Sequence, residues 1–266
     1  MSQNAYNLAM KKKPSRRGYG WVPDRPDQRD HLFAARVKKK AAALPKAVDL
    51  RPLCSPVEDQ GKLGSCTANA LAGALEFLER KDGVSFIDLS RLFIYYDERV
   101  AEGTVGSDSG AMLRDGIKTL GKYGVCNESL WPYAIAKFKA KPTPACYKDA
   151  AKHTISGYAR LNTLDDMRQC LAAGYPFVYG FTVYESFESQ TVARTGIVPL
   201  PKFGESTLGG HAVVAVGYND GSKRFLCRNS WGPNWGIAGY FWMPYAYLSD
   251  RRLSDDFWTI RRAGAL

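Results

Sequence analysis

Near residue 155 the hydrophobic period of this 266-residue chain changes, and few architectures accommodate both sides of the change. Before it, apolar residues recur every three to four positions. In TANALAGALEFLERKDG, from Thr67, the residues Leu71, Ala74, Leu75 and Leu78 share a helical face and Gly83 ends the run. Leu89–Glu102 and Ala111–Gly124 read as two further helices. After it, Phe177–Tyr184, His211–Asn219, Arg224–Trp231 and Gly239–Pro244 are rich in β-branched and aromatic residues and read as strands. Asn219-Asp220-Gly221-Ser222 supplies a hairpin turn between two of them, and Leu164–Gly174 is one helix within this half. The pattern predicts an α+β fold: a mainly helical half over residues 45–155, then a mainly antiparallel β half over 156–266. A cleft is expected between them, where ligand sites concentrate.

Residues 1–44 form a separate N-terminal extension. Residues 1–47 carry 12 Lys+Arg against 3 Asp+Glu, so +9 of the net +11 lies there and the body is close to neutral. A duplex-binding surface would be built into the folded domain, so nucleic acid is not the expected partner. No apolar run approaches the roughly 18 residues of a membrane helix, and MSQNAYNLAMKKK lacks the apolar core of a signal peptide. The sequence leaves localisation open. There is no CxxC and there are three histidines, so neither a metal cluster nor any other cofactor is expected.

Cys66 opens the first predicted helix, where free N–H groups favour a thiolate. A nucleophilic cysteine also needs a base, and the base an orienting group. His211 follows Gly209-Gly210 and opens a strand; Asn229, in RNSWG, ends the next one, so hairpin pairing would bring the two side by side. Each residue alone also has an ordinary structural reading: a buried thiol, a satisfied histidine, a turn asparagine. Their joint spacing is the sharper signal. His211 and Asn229 lie 145 and 163 positions after Cys66, against roughly 130–150 for the papain-type signature.

Five blocks in order, LPKAVDLR, PVEDQGKLGSC, KYGVCNESLWPY, GGHAVVAVGYN and NSWGPNWGIAGYF, resemble the papain-like cysteine proteases, in particular the bacterial branch with LGSCTAN. The resemblance covers about residues 45–262. It implies a papain-like fold and peptide hydrolysis, with Cys66 as nucleophile, His211 as base, Asn229 orienting the imidazole and Gln60 donating to the oxyanion. Trp231 would cover the Asn229–His211 hydrogen bond, whereas Trp235 reads as core. Substrate would run past Gly64, Ser65, Gly210 and the stretch Ser109-Gly110-Ala111, where the family usually has a Gly-Gly pair. Met112, Leu113 and Ala212 would line an apolar pocket for the side chain two residues before the cut. Its floor would come from Leu253–Asp256, and an acidic residue such as Asp255 there would also admit basic side chains. Leu63 and Thr67 depart from the family: the first removes a disulfide cysteine, and the pairing of Cys54, Cys126, Cys146, Cys170 and Cys227 is left open. No His-His insertion is present, which points to an endopeptidase.

Family members carry pro-segments, and partners implied here are peptide substrates, protein inhibitors of papain-like enzymes and the chain's own N-terminal segment. Residues 20–44, with the anchors Trp21, Val22, Leu32 and Phe33 and with proline-enforced extension, are expected to form a short pro-region or lid over the cleft. The competing reading is a tail without regulatory effect. The competing chemistry is acyl transfer to an amine by the same Cys-His-Asn set.

Overall fold

The computed structural model describes residues 18–33 and 43–262; the rest of the basic extension, residues 1–17 and 34–42, lies outside the described residues. The strands are β1 (Ala47–Asp49), β2 (Gly157–Arg160), β3 (Phe177–Tyr184), β4 (Thr207–Asn219), β5 (Arg224–Arg228), β6 (Tyr240–Pro244) and β7 (Ser254–Arg261). The helices are α1 (Cys66–Lys81), α2 (Arg91–Glu102), α3 (Leu113–Lys122), α4 (Pro144–Ala150), α5 (Leu164–Ala172), α6 (Gln190–Thr195) and α7 (Tyr245–Ser249).

The strands form one antiparallel sheet in the order β2-β7-β3-β4-β5-β6, with β1 added on β4. The path is open, with β2 and β6 at its ends. Alternation along the strands separates two cores. Val178, Ala212, Val214, Val216, Leu226, Trp258 and Ile260 face the helices, joining Leu71, Leu75, Leu92 and Leu113. Phe177, Tyr179, Phe181, Val213, Ala215, Phe225 and Phe257 face the other way, onto α5 and α7. The sheet's first face is therefore what α1 packs against, and this contact fixes the start of α1 opposite the start of β4.

Local chemistry sets the ends of these elements. The Ser90 hydroxyl accepts from the Phe93 N–H (3.1 Å) and starts α2, and Gly103, at φ 72°, ends it. Thr163 and Asp166 form a reciprocal capping box on α5. The hairpin turn at Asn219–Ser222 joins β4 to β5, with the Asn219 side chain accepting from the Ser222 N–H. The third helix begins later than its periodicity suggests, at Leu113 rather than Ala111, because Ala111 spends its N–H and C=O on the N-terminal segment.

Candidate active site

Four elements converge on the junction. Cys66 is the first residue of α1 and fully buried. The backbone N–H groups of Ala212, Gly20 and Thr67 point at its sulfur, and Ala212 directly follows His211 in β4. His211 Nε2 is 2.8 Å from Asn229 Oδ1, and the Ser230 N–H also donates to that oxygen (2.9 Å), fixing the amide's orientation. The Trp231 ring stacks on the imidazole at 4.9 Å and 28°, and Phe181 meets it edge-on at 5.6 Å. The hydrogen bond is thus roofed by aromatic rings and kept from water.

Gln60 is completely buried. Its Oε1 accepts from the Ser230 hydroxyl (2.6 Å), and its Nε2 donates to the carbonyls of Leu63 (2.9 Å) and Gly18 (2.8 Å). The Ser230 bond leaves the amide nitrogen, not the oxygen, aimed into the cleft. The loop from Gln60 to Cys66 is held without a disulfide. Gly64 N–H donates to the Asp108 carboxylate (3.0 Å), Ser65 Oγ meets the Tyr133 hydroxyl (2.5 Å), and Leu63 is buried. All six cysteines are free thiols.

The cleft holds the chain's own N-terminal segment. Trp21 N–H donates to Gly210 O (3.0 Å), Val22 N–H to Ala111 O (3.0 Å), and Ala111 N–H to Gly20 O (2.7 Å). This is a parallel bridge between Trp21 and Ala111. Glycine is required where the chain is closest. A Cβ on Gly20 would lie 1.7 Å from Gly64 O, and one on Gly110 (φ 70°) 2.1 Å from Gly20 O. Ser109 is exposed, with its hydroxyl on Gly110 O; Met112 N–H is taken by Glu102 (2.7 Å). The Trp21 indole packs against the cluster that contains Leu113 and Ala212.

The pocket floor differs from the sequence expectation. Asp256 lies beneath Trp21, accepting from its Nε1–H (3.0 Å) and from the Asp24 N–H (2.8 Å). Asp255 turns outward to Arg160 and Arg251. Strict alternation along β7 fails because Asp256 takes a left-handed conformation, φ 56°, which periodicity does not reveal. Ser230, Tyr19, Gly180 and Asp24 were likewise not legible as site residues. The Tyr19 hydroxyl donates to Glu188, and its ring meets both His211 and Trp231.

Electrostatics describe a closed site. Burial pushes the Cys66 thiol up to about 12, against the pull of the N–H groups of Ala212 and Gly20. That burial acts against the roughly 0.3–1 kcal/mol that a helix N-terminus gives an anion. Asp24, buried beside Asp256, is raised to about 7, by burial first and by the neighbouring carboxylate second.

The chain is similar to known proteins along most of its length. The pattern of the family described as papain family cysteine protease matches residues 44–250. A peptidase C1-like protein of Acanthamoeba polyphaga mimivirus, L477, is 44% identical over 92% of this chain and 87% of its own length. Cysteine proteinase 2 of Zea mays is 31% identical over 78% of this chain and 58% of its own. The crystal structure of xylellain, a cysteine protease from Xylella fastidiosa, superposes with a TM-score of 0.88 at 46% identity, covering 95% of this chain and 98% of that one. A buried thiol at a helix start, an imidazole held by an asparagine under a tryptophan, and a match along most of the body make this chain a member of the papain family of cysteine proteases.

Proposed function

We propose that this cysteine protease is an endopeptidase that cuts through an acyl-enzyme on Cys66, with the N-terminal segment restricting access until it is displaced. The observation that carries the reading is the Gly18 carbonyl hydrogen-bonded to Gln60 Nε2 at 2.8 Å. A peptide carbonyl of the segment thus takes up the amide N–H that, in this reading, a substrate's oxygen would use as it gains charge.

In the open enzyme His211 takes the Cys66 proton, and the thiolate attacks the scissile carbonyl carbon. The oxygen gains charge against the Gln60 amide N–H and the Cys66 backbone N–H. The imidazolium then gives its proton to the leaving amine as the C–N bond breaks. Water, deprotonated by His211, attacks the thioester and releases the acid, returning the thiol. Asn229 holds the imidazole in line throughout, and Trp231 shields their hydrogen bond. Extended substrate would exchange hydrogen bonds with the backbone groups of Ala111 and Gly210 now engaged by Gly20, Trp21 and Val22. Gly64, Ser65, Ser109 and Gly110 shape that track, and Met112, Leu113 and Ala212 give the pocket two residues before the cut its apolar walls. Because the segment uses these same groups, it and substrate exclude one another.

A dipeptidyl fluorogenic amide, offered together with an active-site-directed alkylator, tests the chemistry. Loss of hydrolysis in step with labelling of Cys66 is the expected result; labelling by an enzyme that never hydrolyses the amide would sink it. The restriction is tested by comparing the full chain with one starting near Leu44. Equal hydrolysis and equal alkylation rates would make the segment a bystander.

A further inference from the structure

Resting on that reading, we infer that Asp256 makes the pocket two residues before the cut select tryptophan over phenylalanine and aliphatic side chains. The pocket's present guest shows what it is shaped for. Trp21 Nε1–H donates to Asp256 Oδ2 at 3.0 Å, and Asp256 is 1% exposed. The indole has room because residue 180 is glycine: a Cβ there would lie 1.9 Å from Cε2 of the ring. Gly210 is close as well, its Cβ position falling 2.9 Å from Cε3. Two glycines thus accommodate a two-ring side chain, and one carboxylate oxygen receives its donor.

Asp256 Oδ1 is taken by Arg160 Nη2 (3.0 Å). Oδ2 is shared by two donors of the segment, the Trp21 indole and the Asp24 N–H. When the segment leaves, both donors go and Oδ2 faces the empty pocket. A phenylalanine or leucine entering would cover that oxygen without supplying a donor, and a buried acceptor left unpaired is costly. A cation would supply a donor but meets no surplus of negative charge. Asp255 and Asp256 are already balanced by Arg160 and Arg251, and Arg114 loses its Asp30 partner with the segment. The neutral indole N–H meets both requirements.

The test is a pair of dipeptidyl fluorogenic amides on the full chain, identical except for tryptophan or phenylalanine two residues before the cut. The ratio of their kcat/KM values cancels both the fraction of enzyme that is open and the amount that is folded. The expected ratio favours tryptophan by about 10- to 100-fold, the discrimination given by a hydrogen bond to a charged acceptor. Asp256 sits at φ 56°, which asparagine and glycine tolerate. D256N, which keeps a neutral acceptor, should shrink the ratio to a few-fold, and D256G should bring it close to one. A native ratio of one or less, or a ratio unmoved by D256G, overturns the inference. Tryptophan- and phenylalanine-bearing dipeptidyl alkylators of Cys66 separate the two levels. Equal labelling with hydrolysis intact overturns the pocket inference alone. Preferential labelling by the tryptophan probe without hydrolysis of either amide supports the pocket and overturns the peptidase reading.

Discussion

At the scale of single residues, the proposed catalytic set divides into groups that would touch the reacting atoms and groups that aim them. Gln60 belongs with the first and Ser230 with the second: the serine hydroxyl on Gln60 Oε1 leaves the amide N–H facing the cleft. Removing one oxyanion donor typically costs about 100- to 1,000-fold in kcat. Q60A should therefore lose activity on that order with KM little changed, as steady-state kinetics on a small amide would show; S230A should lose less. Cys66, His211, Asn229 and Gln60 stood out in the sequence because the proposed chemistry requires residue type and spacing together, and the structure brings them to one junction. Asp256 did not. Its orientation depends on a left-handed backbone at one position in β7, and alternation favours its neighbour Asp255.

At the scale of elements, the docked segment is a short stretch held by main-chain bonds and by one polar cluster. Gly20→Ala would drive a methyl carbon onto the Gly64 carbonyl. Overpacking of this kind costs about 1–3 kcal/mol, so the rate at which a small neutral alkylator labels Cys66 should rise roughly 5- to 150-fold. The second hold is titratable. Asp24 accepts from Trp258 Nε1–H and the Arg114 N–H and lies against Asp256, with Arg114, Arg160 and Asp30 around the pair. Docked, its pKa is raised to about 7; released, it returns to its ordinary 3.8. The docked form thus keeps a proton that the released form gives up. Docking is tightest below the ordinary value, weakens as pH rises through the interval, and is flat above about 7. D24N carries no such proton. The kcat/KM of the native chain divided by that of D24N should rise between pH 4 and 7, and a flat ratio would remove the carboxylate pair from the latch.

The same scale explains what periodicity conveyed. Strand β3, Phe177–Tyr184, was legible to the residue, because both its faces are buried in different cores. The short strands β1 and β2 were not, since they take their identity from partners across the sheet, nor was β7, whose alternation is broken at Asp256. Of the four expected anchors, Trp21 and Phe33 pack against the body, whereas Val22 and Leu32 are exposed, so apolar character alone did not identify the anchors. The docking site of residues 31–33 was not legible, because it is a backbone register, His31 and Phe33 pairing with Arg160.

At the scale of the whole molecule, the helical and β halves are joined by a buried polar bridge as well as by apolar contact. Arg228 of β5 donates to the Ser55 hydroxyl (2.6 Å) and the Pro56 carbonyl, Ser55 donates to Glu76 of α1, and Glu76 also accepts from the Leu89 N–H (3.0 Å). Burial raises Glu76 to about 7, with the guanidinium opposing the rise. Removing one member of a buried polar chain leaves its partners unsatisfied, which costs about 1–3 kcal/mol. R228M should lower the urea midpoint accordingly, and the double variant R228M/E76Q should recover part of the loss.

The segment across the cleft belongs to the same chain as the cleft, joined to it through residues 34–42. Tethered, it competes at an effective concentration on the order of millimolar, whatever the protein's own concentration. A single peptide-bond cut within 34–42 would leave every contact described for residues 18–33 available, yet it would turn this competition into an ordinary bimolecular equilibrium. The nicked enzyme should then gain activity simply on dilution, and lose it again when concentrated.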